Sequence, residues 1–354
     1  MTLPTMRCLL QPTSEADTNG LVLCTSPIPT ADESNGEHLI RVHACSPCSG
    51  ELLWPKDFPP PNARELVPCP DMAGTVVTAP AGSPFQPGDE VYARTDYVRP
   101  ANARDYTVAI GDELAHKPKN LSWVEAAAVP VSAQTAWQIL FVHAGIVPSG
   151  TDESPAGFAD ARKAWEGKKI LVTAAGGGVG VWVVQLAKLL GIEVIGTCGN
   201  RESEALVRSF GAREVLNYRT ADFKAWAEER DGVRKVDVVV DCIGRKALQD
   251  AWWCVKEGGT VLSIFQPPAP LRPEGCEVQA KDVFFIMSPS SRQLQEITRL
   301  IEEGECRPLV DSAWPLEQFH PAFRRLDEGH SRGKIVFDLS LNAMQQKLGL
   351  GDGK

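Results

Sequence analysis

Two short stretches hold residues whose types and spacing could do chemistry. The first is AAGGGVG, residues 174 to 180. Glycine at such a turn permits close approaches that a Cβ forbids, and a helix that follows opens with unpaired N–H groups able to hold phosphate. In the G-x-G-x-x-G fingerprint of dinucleotide sites the three places fall on Ala175, Gly177 and Gly180, with Gly178 and Val179 between the last two. Ala175 departs from the strict pattern. The run lies between a buried-strand pattern, KKILVTAA, and an apolar helix pattern, GVWVVQLAKLLG. In that context the fingerprint reads as a pyrophosphate site rather than a mobile turn. About twenty residues on, an NAD site would place a carboxylate on the ribose. Here the chain reads Gly199, Asn200, Arg201, with no acid before Glu202. A guanidinium offers a fork of donors to a 2′-phosphate, which favours NADPH. The competing reading of Arg201 is a solvated residue at a helix start.

The second stretch is CSPCSGELLWP, residues 45 to 55, where Cys45 and Cys48 form a C-x-x-C pair two residues after His43. Such a pair is half of many zinc sites and is also a redox motif. Redox pairs open a helix in a thioredoxin-like βαβ unit, whereas this pair follows a strand pattern, HLIRVHA. Glu51 and Trp54 lie just beyond it.

The elements that must position these residues differ along the chain. Up to about residue 110, short runs such as LVLCTSP, HLIRVHA, AGTVVTAPAGS, PGDEVYA and RDYTVAI alternate with turn residues, the pattern of a compact β domain. LSWVEAAAVPVSAQTAWQILFVHAGI reads as helical. Residues 147 to 168 begin with Pro, Gly and Asp and read as a surface loop. Beyond them KKILVTAA, EVIGTCG, REVLNY, VDVVVDCIG and GTVLSIF alternate with helix patterns, which means βαβ units and a doubly wound parallel sheet. SRQLQEITRLIEEGE and GKIVFDL add a helix and a strand.

Length and composition narrow the partners. A chain of 354 residues is long enough for two domains. A net charge of −9 without clustered Lys and Arg argues against nucleic acid. No window approaches the ~18 apolar residues of a membrane span, and the start does not read as a secretory signal. A soluble, cytoplasmic protein with a small-molecule partner is expected. Its ten cysteines are spread too widely for a disulfide framework and are expected to stay as thiols.

The segments PDMAGTV, PGDEVYA, ARDYTVAIGDELAHKP, AAAVPVSAQTAW, ILVTAAGGGVG, GAREVLNY, VDVVVDCIG and RGKIVFDL, in this order and spacing, resemble the medium-chain dehydrogenase/reductase superfamily. Within it they resemble the zinc-free quinone oxidoreductase and enoyl reductase branch, over nearly the whole chain. The resemblance implies a GroES-like β-barrel domain, residues 1 to 130 completed by 286 to 354. A Rossmann NADP(H)-binding domain, 131 to 285, is inserted between them, and substrate meets nicotinamide in the cleft. It implies that Tyr218 lies beside the adenosine 2′-phosphate, that Thr135 approaches the nicotinamide, and that the backbone at Ile243 and Phe265 lines its pocket. The lysine that many NADPH-using relatives carry after the second strand is missing, leaving Asn200 and Arg201 as substitutes. Relatives include monomers, dimers and tetramers, so a homodimer is open.

Zinc-dependent relatives hold their metal with a Cys, a His and a third ligand. Cys48 falls on the first position, but the His position falls on Pro70 and AAAVPVSAQ offers no third ligand. No metal is therefore expected, since a catalytic zinc needs three protein ligands. Cys48 is expected to line the nicotinamide pocket and Cys45 to fill core. Glu51 is the other candidate catalytic group, with a structural hydrogen-bonding role as its competing reading. Trp54 is a pocket wall or a core aromatic, and Lys334 a surface lysine or a cofactor neighbour. Without a metal or an evident acid, reduction of an isolated ketone lacks a group to stabilise the alkoxide, whereas a conjugated enone, an enoyl thioester or a quinone delocalises the charge itself. The expected activity is NADPH-dependent reduction of such a substrate, one of hydrophobic character. A nucleotide-binding fold turned to a non-redox role, or a zinc alcohol dehydrogenase, are the alternatives.

Overall fold

The computed structural model describes residues 4–60, 64–147 and 155–341. Among them, seven strands come first: β1 (Thr5–Leu10), β2 (Val22–Pro27), β3 (Glu37–Ser46), β4 (Asp71–Thr78), β5 (Glu90–Arg94), β6 (Tyr106–Ile110) and β7 (Leu114–His116). Six more follow: β8 (Lys169–Val172), β9 (Glu193–Cys198), β10 (Glu214–Asn217), β11 (Val236–Asp241), β12 (Val255–Ser263) and β13 (Lys281–Phe284). The last two are β14 (Val310–Pro315) and β15 (Lys334–Asp338). The chain divides into two compact units, one made of Met1–Val131 with Ser288–Lys354, the other of Ser132–Met287.

In the first unit, β1 and β2 pair with each other, and a larger sheet runs β14-β15-β3-β4-β5-β7 with β6 also on β3. β3 shows why these residues make a half-buried strand. His38, Ile40, Val42 and Ala44 point inward in strict alternation, the period of the pleat. The alternation breaks at Cys45 and Ser46, buried as well, where β15 joins β3 through Phe337 opposite Cys45. The core around this junction contains Leu9, Ile40, Met72, Val91, Leu114, Phe323 and Phe337. GKIVFDL thus completes this sheet instead of extending the alternating series.

The second unit is a parallel sheet in the order β10-β9-β8-β11-β12-β13. Its inner strands are buried on both faces: Ile170 to Val172 and Val238 to Asp241 have no exposed side chain, which explains their continuous apolar runs. The order reverses between β8 and β11, the switch point at which open α/β sheets bind ligands beyond the carboxyl ends of their strands.

Two features depart from the sequence reading. Residues 155–164, expected as loop, form the helix Pro155–Ala164. Pro155 suits a first helical turn, and buried Ala161 and Trp165 stand four apart on one face. The Trp165 indole N–H donates to the Leu140 carbonyl at 3.2 Å. The start of that expected loop lies outside the described residues. The sixth parallel strand, β13, was not expected from the sequence. It has four largely exposed residues at the sheet edge and so lacks an apolar run.

Candidate active site

In the second unit the expected cofactor residues follow successive strands of one parallel sheet, so they gather along its carboxyl edge. Residues 174 to 180 follow β8, Asn200 and Arg201 follow β9, Tyr218 follows β10, Ile243 follows β11 and Phe265 follows β12. The turn after β8 takes its left-handed dihedral at Ala174, φ 47°, so the strained residue is the neighbour of Ala175. Ala175 is fully buried and its N–H donates to the Thr197 carbonyl. The helix Gly178–Leu189 begins with Gly177 as its N-cap and no side-chain cap, leaving the first N–H groups of Gly178, Val179 and Gly180 directed outward for an anion. A Cβ on Gly180 would lie 2.7 Å from the Ala175 Cα, so the helix can sit this close only with glycine there. The turn therefore fits a dinucleotide's pyrophosphate.

Asn200 caps the helix Arg201–Phe210 by accepting the Ser203 N–H at 2.8 Å, which commits its carbonyl oxygen. Arg201 is exposed at the first helical position. Tyr218 is 48% exposed, and the space beyond Gly199 is filled by its ring. The Arg219 guanidinium lies 5.8 Å from the Tyr218 ring centroid, a second cation beside this edge that the sequence reading did not single out. Ile243 and Phe265 are each 45% exposed. Both depend on Asp241, a fully buried carboxylate at the end of β11. It accepts from Thr173 Oγ1, Ser263 Oγ and the Gly244 N–H, each at 2.8 Å, and the Ser263 hydroxyl in turn accepts the Phe265 N–H at 3.1 Å. Burial raises the Asp241 pKa above the ordinary carboxyl value, against these hydrogen bonds. Thr135 is buried on the helix Pro130–Gln138.

In the first unit Cys48 and Glu51 stand in one cluster with Asp71 and Lys334. Glu51 is a clamp: one carboxylate oxygen accepts the Cys48 N–H and the other the Cys69 N–H, both at 3.0 Å. Cys69 adopts a left-handed dihedral, φ 73°, which is uncommon for a residue with a Cβ and is held here by that bond. Burial pushes the Glu51 carboxyl up to about 7. Cys45 is core, against Cys69.

Lys334 is no surface lysine. Only 6% exposed, its ammonium donates to the Pro47 carbonyl at 2.7 Å and lies 3.1 Å from Asp71 Oδ2 and 3.5 Å from Cys48 Sγ. Burial works against its charge, but the Asp71 carboxylate at its side outweighs that and holds it protonated above the usual lysine range. Asp71 Oδ1 accepts the Val131 N–H at 2.6 Å. Burial pushes the Cys48 thiol up to about 12, so at neutral pH it is neither a thiolate ligand nor a nucleophile. These residues do not fit zinc. The ammonium already supplies the cluster's cation, both Glu51 oxygens face backbone donors, and the Pro70 side chain has no donor atom, its carbonyl being taken by Asn102 and the Thr95 N–H. Among the described residues no group of three or more His, Cys, Asp or Glu could hold a metal. Trp54 and Glu51 also line a small open hollow of about 30 Å³, which Cys48 does not line.

The Glu51 value gives a pH test with a defined sign. Between the ordinary glutamate value of 4.5 and about 7, the folded state keeps a proton that the unfolded chain has released. Stability is therefore expected to fall by about 3 kcal/mol as pH rises through that window and to level off above it. A neutral carboxyl can still accept both N–H groups, whereas an amide turns an N–H toward one of them. Glu51→Gln is therefore expected to lose the slope and to be roughly 1–3 kcal/mol less stable at the acid end, the two curves converging as pH rises. Urea unfolding across the window checks this, and parallel curves for the two proteins would refute it.

Comparison with known proteins agrees with this geometry. Residues 34–118 match the family described as "Alcohol dehydrogenase GroES-like domain" and residues 210–337 the one described as "Zinc-binding dehydrogenase". The chain is 48% identical over 318 residues to the "Probable zinc-binding oxidoreductase, mitochondrial" of Arthroderma benhamiae, covering 89% of this chain and 92% of that one. It is 32% identical to the chloroplast envelope quinone oxidoreductase homolog of Arabidopsis thaliana, covering 90% and 94%. Its fold matches the solved quinone oxidoreductase from Coxiella burnetii with a TM-score of 0.77 at 23% identity, covering 95% of this chain and 100% of that chain. No helix among the described residues is long and apolar enough to cross a membrane.

Proposed function

Because the chain belongs to the medium-chain dehydrogenase/reductase superfamily, in its zinc-free quinone oxidoreductase-like branch, we propose that this oxidoreductase uses NADPH to reduce a quinone or a carbon–carbon double bond conjugated to a carbonyl. The observation that carries the reading is the Lys334 ammonium seated against Cys48 and Asp71. The ammonium is the cluster's cation and is engaged by Asp71 and the Pro47 carbonyl, while burial keeps the Cys48 thiol protonated, so an isolated ketone would find no Lewis acid and no free cation there to stabilise its alkoxide. A conjugated substrate spreads the charge onto a remote carbonyl oxygen, where ordinary hydrogen-bond donors or water suffice.

A bound reduced nicotinamide supplies the hydride for such a reaction. The chain's part is positioning. The N–H groups opening the helix Gly178–Leu189 hold the pyrophosphate, Asp241 fixes the loops at Gly244 and Phe265, and Glu51 fixes the segments carrying Cys48 and Cys69. Arg219 beside Tyr218, and Arg201 exposed at the start of the helix after β9, support the choice of NADPH, since guanidiniums at this edge suit a 2′-phosphate and no acid occupies the ribose position before Glu202. Arg201→Ala is expected to weaken NADPH binding about tenfold while NADH changes by less than about twofold. Titration calorimetry with both nucleotides measures this, and equal losses would contradict the phosphate assignment.

The reading as a whole is tested by following NADPH and NADH consumption over a panel of enones, enoyl thioesters and quinones, with elemental analysis of the same preparation. NADPH-selective turnover without stoichiometric zinc is expected. Nucleotide binding without turnover on any substrate would favour a non-redox role, and tightly held zinc with loss of activity on chelation would favour an alcohol dehydrogenase.

A further inference from the structure

The ten cysteines are all free thiols, and only Cys24, Cys48 and Cys242 escape full burial. Of these three, Cys24 alone has a second cysteine opposite it in a strand ladder: β1 and β2 pair antiparallel with Cys8 against Cys24. The backbone fixes which kind of pair this is. The Leu9 N–H donates to the Ala103 carbonyl, the Asp105 N–H to the Arg7 carbonyl, and the Ile28 N–H to the Pro4 carbonyl. Odd-numbered residues of β1 thus turn their backbone away from β2 and even-numbered ones turn toward it. Cys8 and Cys24 therefore form a hydrogen-bonded pair, with Cα atoms about 5.5 Å apart. That separation is one a disulfide spans. Opposed residues also share a face of the sheet, and both thiols meet the hydroxyl of Ser26. Cys24 Sγ stands 3.7 Å from Ser26 Oγ, and the same hydroxyl favours the ionised form of Cys8.

We propose that Cys8 and Cys24 are a reversible thiol–disulfide pair, oxidised by a low-molecular-weight disulfide of the glutathione type. Cys24, the partly exposed thiol, is the point of entry. Its sulfur attacks the incoming disulfide and releases one glutathione thiolate, which takes up the Cys24 proton. The Cys8 sulfur then attacks Cys24 Sγ in the mixed disulfide and expels the second glutathione, which takes up the Cys8 proton. Two protein thiols and one glutathione disulfide become one protein disulfide and two glutathiones. Burial pushes the Cys8 thiol up to about 12, with Arg104 pulling the other way, so Cys8 is poor at starting the exchange and serves to resolve it. Opposed Cβ atoms in such a ladder stand about 4.5–5.5 Å apart, whereas a disulfide holds them near 3.8 Å. The bridge must draw the two strands together, and that strain makes it easy to reduce. Cys45 and Cys69 also lie side by side, but both are fully buried and offer no entry. The pair stands apart from the reductase reading and does not depend on it.

Cys8 and Cys24 fall in one tryptic peptide, residues 8–41, so a bridge between them shows as a peptide lighter by two hydrogens and free of alkylation. The native full-length protein is incubated with glutathione disulfide, quenched in acid, unfolded, treated with N-ethylmaleimide and digested without reductant. At about 5 mM glutathione disulfide, at least about half of the peptide is expected to be bridged, falling about fivefold or more when reduced glutathione is added in roughly tenfold excess. Cys45 and Cys69 are expected to be alkylated in the same samples. In Cys8→Ala, Cys24 is expected to stop at a glutathione adduct, and in Cys24→Ser, Cys8 is expected to carry maleimide alone. A doubly alkylated peptide 8–41 from the oxidised wild-type chain, or a bridge that forms only after unfolding, overturns the proposal. A bridge that excess glutathione leaves intact would be a structural disulfide and overturns its reversibility. Glutathione on Cys8 in Cys24→Ser, or an unmodified Cys24 in Cys8→Ala, overturns Cys24 as the point of entry.

Discussion

Lys334→Met is expected to lower the unfolding free energy by roughly 3–5 kcal/mol, the cost of leaving a buried charge without its partner. Asp71 is wholly buried, and the ammonium at 3.1 Å is its counter-ion. Methionine fills a similar volume, so little of the loss comes from a cavity. The substitution also removes the donor to the Pro47 carbonyl. The double variant Asp71→Asn/Lys334→Met removes both charges and keeps an acceptor for the Val131 N–H, so it is expected to recover most of the loss, to within about 2 kcal/mol of the parent. Urea unfolding of the parent, Lys334→Met, Asp71→Asn and the double variant gives the coupling energy directly. A single-variant cost below about 1 kcal/mol would mean that Lys334 behaves as an exposed lysine and that the cation at Cys48 is not structural.

The contrast between Lys334 and the glycine-rich turn shows what a sequence can disclose. The turn was legible because its physics is local: a strand buried on both faces, a tight bend and a helix start are contiguous in the chain. The ends of the parallel strands were legible for the same reason, and Asn200 and Arg201 were singled out by their place after one of them, whereas Tyr218, Ile243 and Phe265 were named through the family resemblance. Lys334 and Cys48 are 286 residues apart, and nothing in RGKIVF tells that its lysine will be drawn inward by Asp71. Glu51 was seen as a candidate, but only the fold decides between an acid that reacts and one that accepts two backbone N–H groups. Asp241 could have been found: an acid closing the run VDVVVD at the end of an inner parallel strand must be buried, and a buried carboxylate must have donors.

Asp241→Ala is expected to cost about 3–5 kcal/mol in stability, because it strands the Thr173 and Ser263 hydroxyls and the Gly244 N–H, three donors that meet at one fully buried carboxylate. Asp241→Asn is expected to cost less, roughly 1–3 kcal/mol, since its oxygen keeps the Gly244 N–H while its amide can donate to Thr173 Oγ1, which has a lone pair beyond the one taken by the Cys242 N–H. Both variants should weaken nucleotide binding by more than their effect on global unfolding predicts, because the same carboxylate shapes the loops at Gly244 and Phe265. Hydrogen exchange separates the two effects. Faster exchange at the Gly244 and Phe265 amides, with β8 and β11 still protected, places the damage at the carboxyl edge of the sheet. Uniform loss of protection across all strands would make Asp241 a stability residue alone, with no hold on the edge where the cofactor residues gather.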